Sequence, residues 1–297
     1  MSIVVTGATG ALGSAILKYL HKFNTDPESL KKIVGTTRDL RNVSEDLKAT
    51  GIELRYADFD DDSHILEEAF AGAEKVLLIS TDVFDNEKRI VQHKNAIDAV
   101  KRAGVGILYY TSFCSGGYEN KSVSKVQQLH LETEEYIKRS GIHYTIIREG
   151  IYAEAFPLML NWTPESTRVV VPGDGPVAWI SRDELAEANA RLLLSNAKEY
   201  RNATTVLTGP TTFTLRQIAD LIPEVTGKPL AFEVSEQAYV QAALKAGQNE
   251  KIVEAFVTIY KALEAGEGDI VDPLVEELLG RKPTSAKEKI RELLENR

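Results

Sequence analysis

Through the first two thirds of the chain, short continuous apolar runs alternate with stretches whose apolar positions recur every three or four residues. That is the pattern of strands alternating with amphipathic helices in βαβ units. Ile3-Val-Val predicts a first strand and Leu12–Phe23 the helix after it. Lys32–Thr36 and Ile52–Tyr56 predict the second and third strands, and Val76-Leu-Leu-Ile-Ser80, the most apolar run, a central buried one. Ile90, Val91, Ala96, Ile97 and Val100 mark a helix that ends at Ala103-Gly104. Ile107–Thr111 predicts strand five, Val123–Ser140 a helix stopped by Gly141, and His143–Ile147 strand six.

The last third changes character. Pro157, Pro164 and Pro172-Gly-Asp-Gly-Pro176 punctuate it, the last read as a rigid turn. Helices are expected at Asp183–Ser195, Leu215–Thr226, Glu236–Ala246, Lys251–Ala265 and Ala286–Glu295. The expected fold is α/β, a Rossmann-type doubly wound parallel sheet with a smaller, mainly helical C-terminal substrate region. Residues 1–150 make the dinucleotide-binding domain, with 176–208 returning to it, and 151–175 with 209–297 make the smaller region.

Composition narrows the function without naming it. With 43% apolar and 27% charged residues the chain is an ordinary globular sequence. It has 35 Lys and Arg against 44 Asp and Glu, a net charge of −9, which argues against direct nucleic-acid contact. No apolar stretch is long enough for a membrane span. The single cysteine, Cys114, removes an intramolecular disulfide and a cysteine-built zinc site. It has no basic neighbour in sequence and reads as a small buried residue rather than a reactive thiol. His21, His64 and His93 lack ligand-spaced partners, so no metal site is expected. Met1-Ser-Ile-Val-Val lacks a basic leader region and a cleavage site, so the expected compartment is cytoplasmic.

The sharpest signal is Thr6-Gly-Ala-Thr-Gly-Ala-Leu-Gly13, a G-x-x-G-x-x-G loop between strand and helix. Gly7 permits the turn, Gly10 lets backbone approach a pyrophosphate, and Gly13 lets the helix pack on the first strand. The anion then sits on a helix N-terminus. The end of strand two selects the dinucleotide. An acid there would accept from a ribose 2′-hydroxyl, whereas Thr36-Thr-Arg38 suits a 2′-phosphate, with Asp39 pointing away. The expected cofactor is therefore NADPH. Asp58 and Phe59 after strand three, Ile79, Ser80 and Thr81 after strand four, and Thr111 and Ser112 at strand five line the same crevice. Each of these residues could equally cap the next helix.

A short-chain carbonyl reductase carries Tyr-x-x-x-Lys on the helix after strand five, where the tyrosine donates a proton. No tyrosine here has a lysine four residues on; Tyr118 and Lys125 are seven apart, and the helix carries His130 instead. Phe113, Tyr152 and Phe156 are candidates to meet a flat acceptor, and for Tyr152 and Phe156 a core role is the alternative. Tyr118, beside Gly116-Gly117, belongs either to a loop that closes over the site or to an exposed one.

The Gly7–Gly13 loop, His130-Leu-Glu-Thr-Glu134, Tyr144-Thr-Ile-Ile-Arg148-Glu-Gly-Ile-Tyr152 and Gly173-Asp-Gly175 together resemble the NmrA-like atypical short-chain dehydrogenases. Within them the chain is most similar to the NADPH-dependent quinone oxidoreductase and triphenylmethane-dye reductase branch, from Ile3 to about Gly247. The resemblance implies a Rossmann domain binding NADPH. Gly7, Thr9, Gly10, Ala11 and Leu12 would contact the diphosphate, Arg38 the 2′-phosphate, and Ile79, Ser80 and Thr81 the adenosine and ribose. Arg148 to Tyr152 would lie near the nicotinamide, with His130 in place of the ribose-binding lysine of related reductases. Glu149 stands where that branch commonly has asparagine, and a carboxylate there would favour a cationic ring or substrate.

The leading expectation is an NADPH-dependent reductase that transfers hydride to a quinone-like or dye-like conjugated acceptor without flavin, with His130 and Tyr152 as catalytic candidates. Such acceptors need no strong proton donor, and simple ketones should react poorly. The alternative is a non-catalytic NAD(P)-binding redox sensor that regulates a protein partner. The sequence leaves open a homodimer.

Overall fold

A computed structural model describes residues 2–24, 26–83 and 85–296. Met1, where the expectation of no leader begins, lies outside the described residues. The strands in chain order are β1 (Ile3–Val5), β2 (Ile33–Thr37), β3 (Glu53–Tyr56), β4 (Lys75–Leu78), β5 (Ile107–Phe113), β6 (Tyr144–Glu149), β7 (Arg168–Val171), β8 (Pro176–Val177), β9 (Ala203–Leu207), β10 (Phe213–Thr214) and β11 (Ala231–Val234). Seven of them form one sheet in the order β3-β2-β1-β4-β5-β6-β9. β1 pairs in parallel with both β2 and β4, β2 with β3, and β4 with β5. The order reverses between β1 and β4, which opens the crevice beyond their carboxyl ends where doubly wound sheets bind ligands.

The chain divides into two compact units of nearly equal length. The first comprises 1–112, 131–147 and 185–205; the second comprises 113–130, 148–184 and 206–297. The boundary expected at 150, with 176–208 returning, differs from this division, which falls inside β5 and β6. The reason is backbone pairing beyond those points. Cys114 N–H bonds Glu149 O (2.9 Å), Gly116 N–H bonds Glu267 O (2.8 Å), and Gly150 N–H bonds Leu207 O (2.9 Å).

In the first unit the helix Asn86–Arg102 buries Ile90, His93, Ile97 and Val100 at helical spacing, and each apolar member contributes about 1.5–3 kcal/mol. Val91 is expected on this face from its spacing. It is 55% exposed, and His93 takes the buried position instead. Lys75 at the start of β4 is 3% exposed, and its ammonium donates to Leu193 O (2.6 Å) and Ser195 O (2.8 Å). A cation at the end of the helix Arg182–Leu194 satisfies its last carbonyls and opposes the helix dipole, so this segment returns to the sheet.

The second unit has its own core around Phe156, Trp179, Leu215, Ile218 and Tyr260. It is not simply helical, because β7 pairs in parallel with β11 and β8 antiparallel with β10. The expected helix Leu215–Thr226 is two, Leu215–Ala219 and Leu221–Thr226, interrupted at Asp220; Pro223 has no N–H to continue the ladder. Asp174, at the centre of the Pro172–Pro176 loop, explains that motif. Its carboxylate accepts from Gly175 N (2.9 Å), Leu215 N (2.7 Å) and Arg216 N (3.4 Å), while Thr214 and Gln217 form a capping box. We expect Asp174→Ala to cost about 1–2 kcal/mol of stability in a denaturant titration, since it strips two N–H groups of their cap.

Candidate functional site

β1 ends at Val5 and the chain turns through Gly7, whose φ of +65° disfavours a side chain. Gly10 N–H bonds Gly7 O (2.9 Å). A Cβ on Gly13 would lie 2.3 Å from Gly7 O and 3.0 Å from Thr6 O, so the helix Ala11–Phe23 can approach the loop only at glycine. Gly7, Thr9, Gly10 and Ala11 are exposed at the rim, while Leu12 and Gly13 are buried. Leu12 can therefore offer a ligand its main chain but not its side chain. The helix has Gly10 as its N-cap, with no side-chain acceptor and no acid in its first turn. The helix Asn86–Arg102, by contrast, has Asp85 accepting from Lys88 N (2.9 Å). An uncapped N-terminus at the crevice leaves first-turn N–H groups and the positive end of the dipole for an anion, which fits a dinucleotide diphosphate.

At the end of β2, Thr9 Oγ1 and Thr37 Oγ1 are 3.0 Å apart. Arg38 is exposed, 3.8 Å from Asp82. Asp39 is fully committed to its own turn. Its Oδ1 accepts from Arg41 N and Nε (2.9 Å each), and its Oδ2 from Arg41 Nη2 (3.0 Å) and Asn42 Nδ2 (3.2 Å). These bonds hold its carboxyl below the usual carboxylate range. Nothing is left of it for a ribose hydroxyl, and two arginines stand at this strand end. Asp58 accepts from Asp60 N (3.1 Å), and Phe59 is half-buried against the core, its carbonyl accepting from Asn95 (3.1 Å).

The segment 79–81 leaves β4 sooner than the sequence suggests, because its N–H groups go to side chains. Ile79 N donates to Thr6 Oγ1 (2.9 Å), Ser80 N to Thr111 Oγ1 (2.9 Å), and Thr81 N to His93 Nε2 (3.1 Å). Thr111 is buried, and its hydroxyl supports Ser80. Arg89 donates to Thr81 O and to Ser80 Oγ (3.3 Å). Since His93 Nε2 accepts, Nδ1 carries the proton, and its 3.0 Å contact donates to Thr133 Oγ1. Burial pulls the His93 pKa from 6.5 down to about 3, with the Arg89 charge a lesser cause. Between those values the unfolded chain binds a proton that the folded one refuses, so this site weakens the fold as pH falls through that window. Neither Arg89 nor His93 was legible in the sequence as a support of this segment; their i, i+4 spacing on one helix was the available sign.

The second unit holds the acceptor candidates. The rings of Phe113 and His130 lie 6.4 Å apart, with His130 buried. Phe113, Cys114, Ile151 and Ala178 border a void of 10 Å³, room for about one water. Cys114 is buried, as expected, and burial pushes its pKa up to about 11. Tyr152 donates to Glu149 Oε2 (3.0 Å), with the Arg182 guanidinium 5.3 Å from its ring centre. Burial first, then the Glu149 charge, raises its pKa well above 10.

Two candidates are corrected. Arg148 has no exposed surface, and its guanidinium donates to Gly117 O and Glu119 O (2.7 Å each) and Asn120 Oδ1 (3.2 Å). A buried guanidinium must be satisfied within the protein, so Arg148 pins the 117–120 loop and is not a cofactor contact. Phe156 is likewise fully buried, its ring 5.7 Å from Trp162, and is core rather than substrate-facing. Tyr118 is 55% exposed and donates to Asp272 (2.8 Å). Among the described residues no group of three or more His, Cys, Asp or Glu could hold a metal, and no helix is long and apolar enough to cross a membrane.

A sequence profile described as the NmrA-like family matches residues 1–295. The chain is 36% identical over 304 aligned residues to the NmrA-like family domain-containing oxidoreductase flvB of Aspergillus flavus, covering all of this chain and 96% of that protein. It is 34% identical to quinone oxidoreductase 2 of Escherichia coli over 82% of this chain and 81% of that one. Among solved structures it is similar to the Escherichia coli NADPH-dependent quinone oxidoreductase complexed with NADPH, at 30% identity, 98% and 99% coverage and a TM-score of 0.84. It is also similar to the Citrobacter triphenylmethane reductase complexed with NADP(H), at 31%, 98% and 99%, and 0.83.

Proposed function

The chain belongs to the NmrA-like family, and on that premise we propose that it passes a hydride from NADPH directly to a quinone-like or cationic dye-like conjugated acceptor, without a flavin. It is an NAD(P)H-dependent oxidoreductase. Bound NADPH supplies the hydride, the two electrons the acceptor needs. Gly7, Thr9, Gly10 and Ala11, with the main chain of Leu12 and Gly13, would hold the diphosphate. Arg38 would hold the 2′-phosphate, and Asp58, Phe59, Ile79, Ser80 and Thr81 would border the adenosine and ribose. The chain's own contribution is to fix geometry, which by itself supplies a large part of a barrier.

The observation that supports the acceptor class is the commitment of Tyr152. Its hydroxyl donates to a carboxylate and its pKa is raised, so it is a weak acid with its proton already engaged. A quinone takes the hydride and then a proton from solvent; a cationic dye takes the hydride at carbon and needs no proton. A simple ketone needs the acid that is lacking. Phe113, half-buried beside His130, is the side chain we propose meets a flat acceptor.

The test is loss of nicotinamide absorbance from NADPH or NADH with a quinone, a cationic dye, a simple ketone or no acceptor. Oxidation of NADPH dependent on the first two, and not on the ketone, is the expected result. Tight dinucleotide binding without oxidation of any acceptor would make the chain a non-catalytic sensor. Tyr152→Phe should hold quinone turnover within about fivefold of wild type from pH 6 to 8, because a general acid contributes about 100-fold or more. A larger loss restored at low pH would identify Tyr152 as the proton donor.

A further inference from the structure

Three successive main-chain N–H groups at the carboxyl end of β4 are bonded to side chains from three different elements: Thr6 after β1, Thr111 in β5 and His93 on the helix Asn86–Arg102. The carbonyl of Thr81 is held by Arg89 on the same helix. The segment therefore cannot offer N–H groups to a phosphate. What this half-buried segment presents is the Ile79 side chain and the hydroxyls of Ser80 and Thr81, a set suited to ribose hydroxyls and an apolar ring face.

From this we infer that His93 is a positioning residue for the dinucleotide. Through Thr81 it holds the 79–81 rim in its binding shape, although it touches no ligand itself. The inference rests on the NADPH reading of the same crevice. His93 is 1% exposed, is fixed on its other side by Thr133, and meets the Tyr110 ring edge-on at 5.5 Å, so its ring cannot swing away from Thr81. A neutral imidazole at this place is an acceptor at every ordinary pH. A rim held before binding does not have to be ordered on binding, which is the usual source of affinity from residues that make no contact.

The test uses the full chain as wild type, His93→Leu and His93→Gln. NADPH dissociation constants come from nicotinamide fluorescence, with thermal melting and amide hydrogen exchange over residues 79–83 on the same samples. Leucine removes the acceptor, whereas glutamine keeps a carboxamide oxygen near the Nε2 position. The expected result is a Kd raised about tenfold for His93→Leu, with faster exchange at Thr81, and a Kd within about threefold of wild type for His93→Gln. A folded His93→Leu that binds as wild type overturns the inference. If His93→Leu fails to fold, His93→Gln decides. Wild-type affinity with slow Thr81 exchange supports the positioning role, and native melting with tenfold weaker binding overturns it. Failure of the wild type to bind NADPH overturns the inference together with the NADPH reading, and the wild-type column alone identifies that outcome.

Discussion

Gly13→Ala is expected to raise the Kd for NADPH about 100-fold or more, equivalent to about 3 kcal/mol. The added Cβ would sit 2.3 Å from the Gly7 carbonyl oxygen and 2.8 Å from its carbon, so the loop or the helix has to shift by most of an ångström. That shift moves the N–H groups proposed to meet the diphosphate, and their alignment is what makes a helix N-terminus an anion site. Gly10 provides a graded control. Its Cβ would lie 3.2 Å from the same oxygen, a few tenths of an ångström too close, so Gly10→Ala should weaken binding less. Fluorescence titration of both variants with melting curves checks the order. Wild-type affinity in a folded Gly13→Ala would place the diphosphate elsewhere.

The second large effect is on cofactor choice. Arg38→Asp should raise the Kd for NADPH about 100-fold while changing that for NADH less than about threefold, since a charge-assisted contact contributes about 1.5–3 kcal/mol and the new carboxylate repels a phosphate. Asp39 adds a second handle. Its two oxygens are held by Arg41 and Asn42, so it does not compete for a ribose hydroxyl. Arg41→Ala combined with Asn42→Ala should free Oδ2, leaving only the main-chain bond at Oδ1, and improve NADH binding on top of the Arg38 change. Equal losses for both dinucleotides in Arg38→Asp would mean that Arg38 does not read the 2′-phosphate.

The central sheet was legible because its signals are local. A run such as Ile3-Val-Val or Val76-Leu-Leu carries the burial of a central strand in its own composition, and Gly7, Gly10 and Gly13 mark a turn that few other residues can make. The second unit is held by pairings between distant segments. Arg168-Val-Val-Val pairs with Ala231–Val234, some sixty residues on, and nothing local to either segment names the partner. Pro223 does carry a local signal against one continuous helix over Leu215–Thr226.

For the site, side-chain chemistry could be read in the sequence but its destination could not. Arg148 and Arg38 are the same residue type, each at the end of a strand. One donates to three oxygens of a loop some thirty residues earlier in the chain, and the other stays exposed. Phe156 and Phe113 differ in the same way, one inside a core and the other half-buried beside His130. His93 was set aside for lack of ligand spacing, yet it meets Thr81 because helix and strand end are brought together only by packing. By itself, then, the sequence determined the doubly wound sheet, the glycine cradle and the basic strand end beside it, all consequences of local backbone preference and residue charge. Only the tertiary structure decided which polar groups are consumed inside the protein and which remain for a ligand, because a hydrogen-bond donor is available or not according to what the rest of the fold places against it.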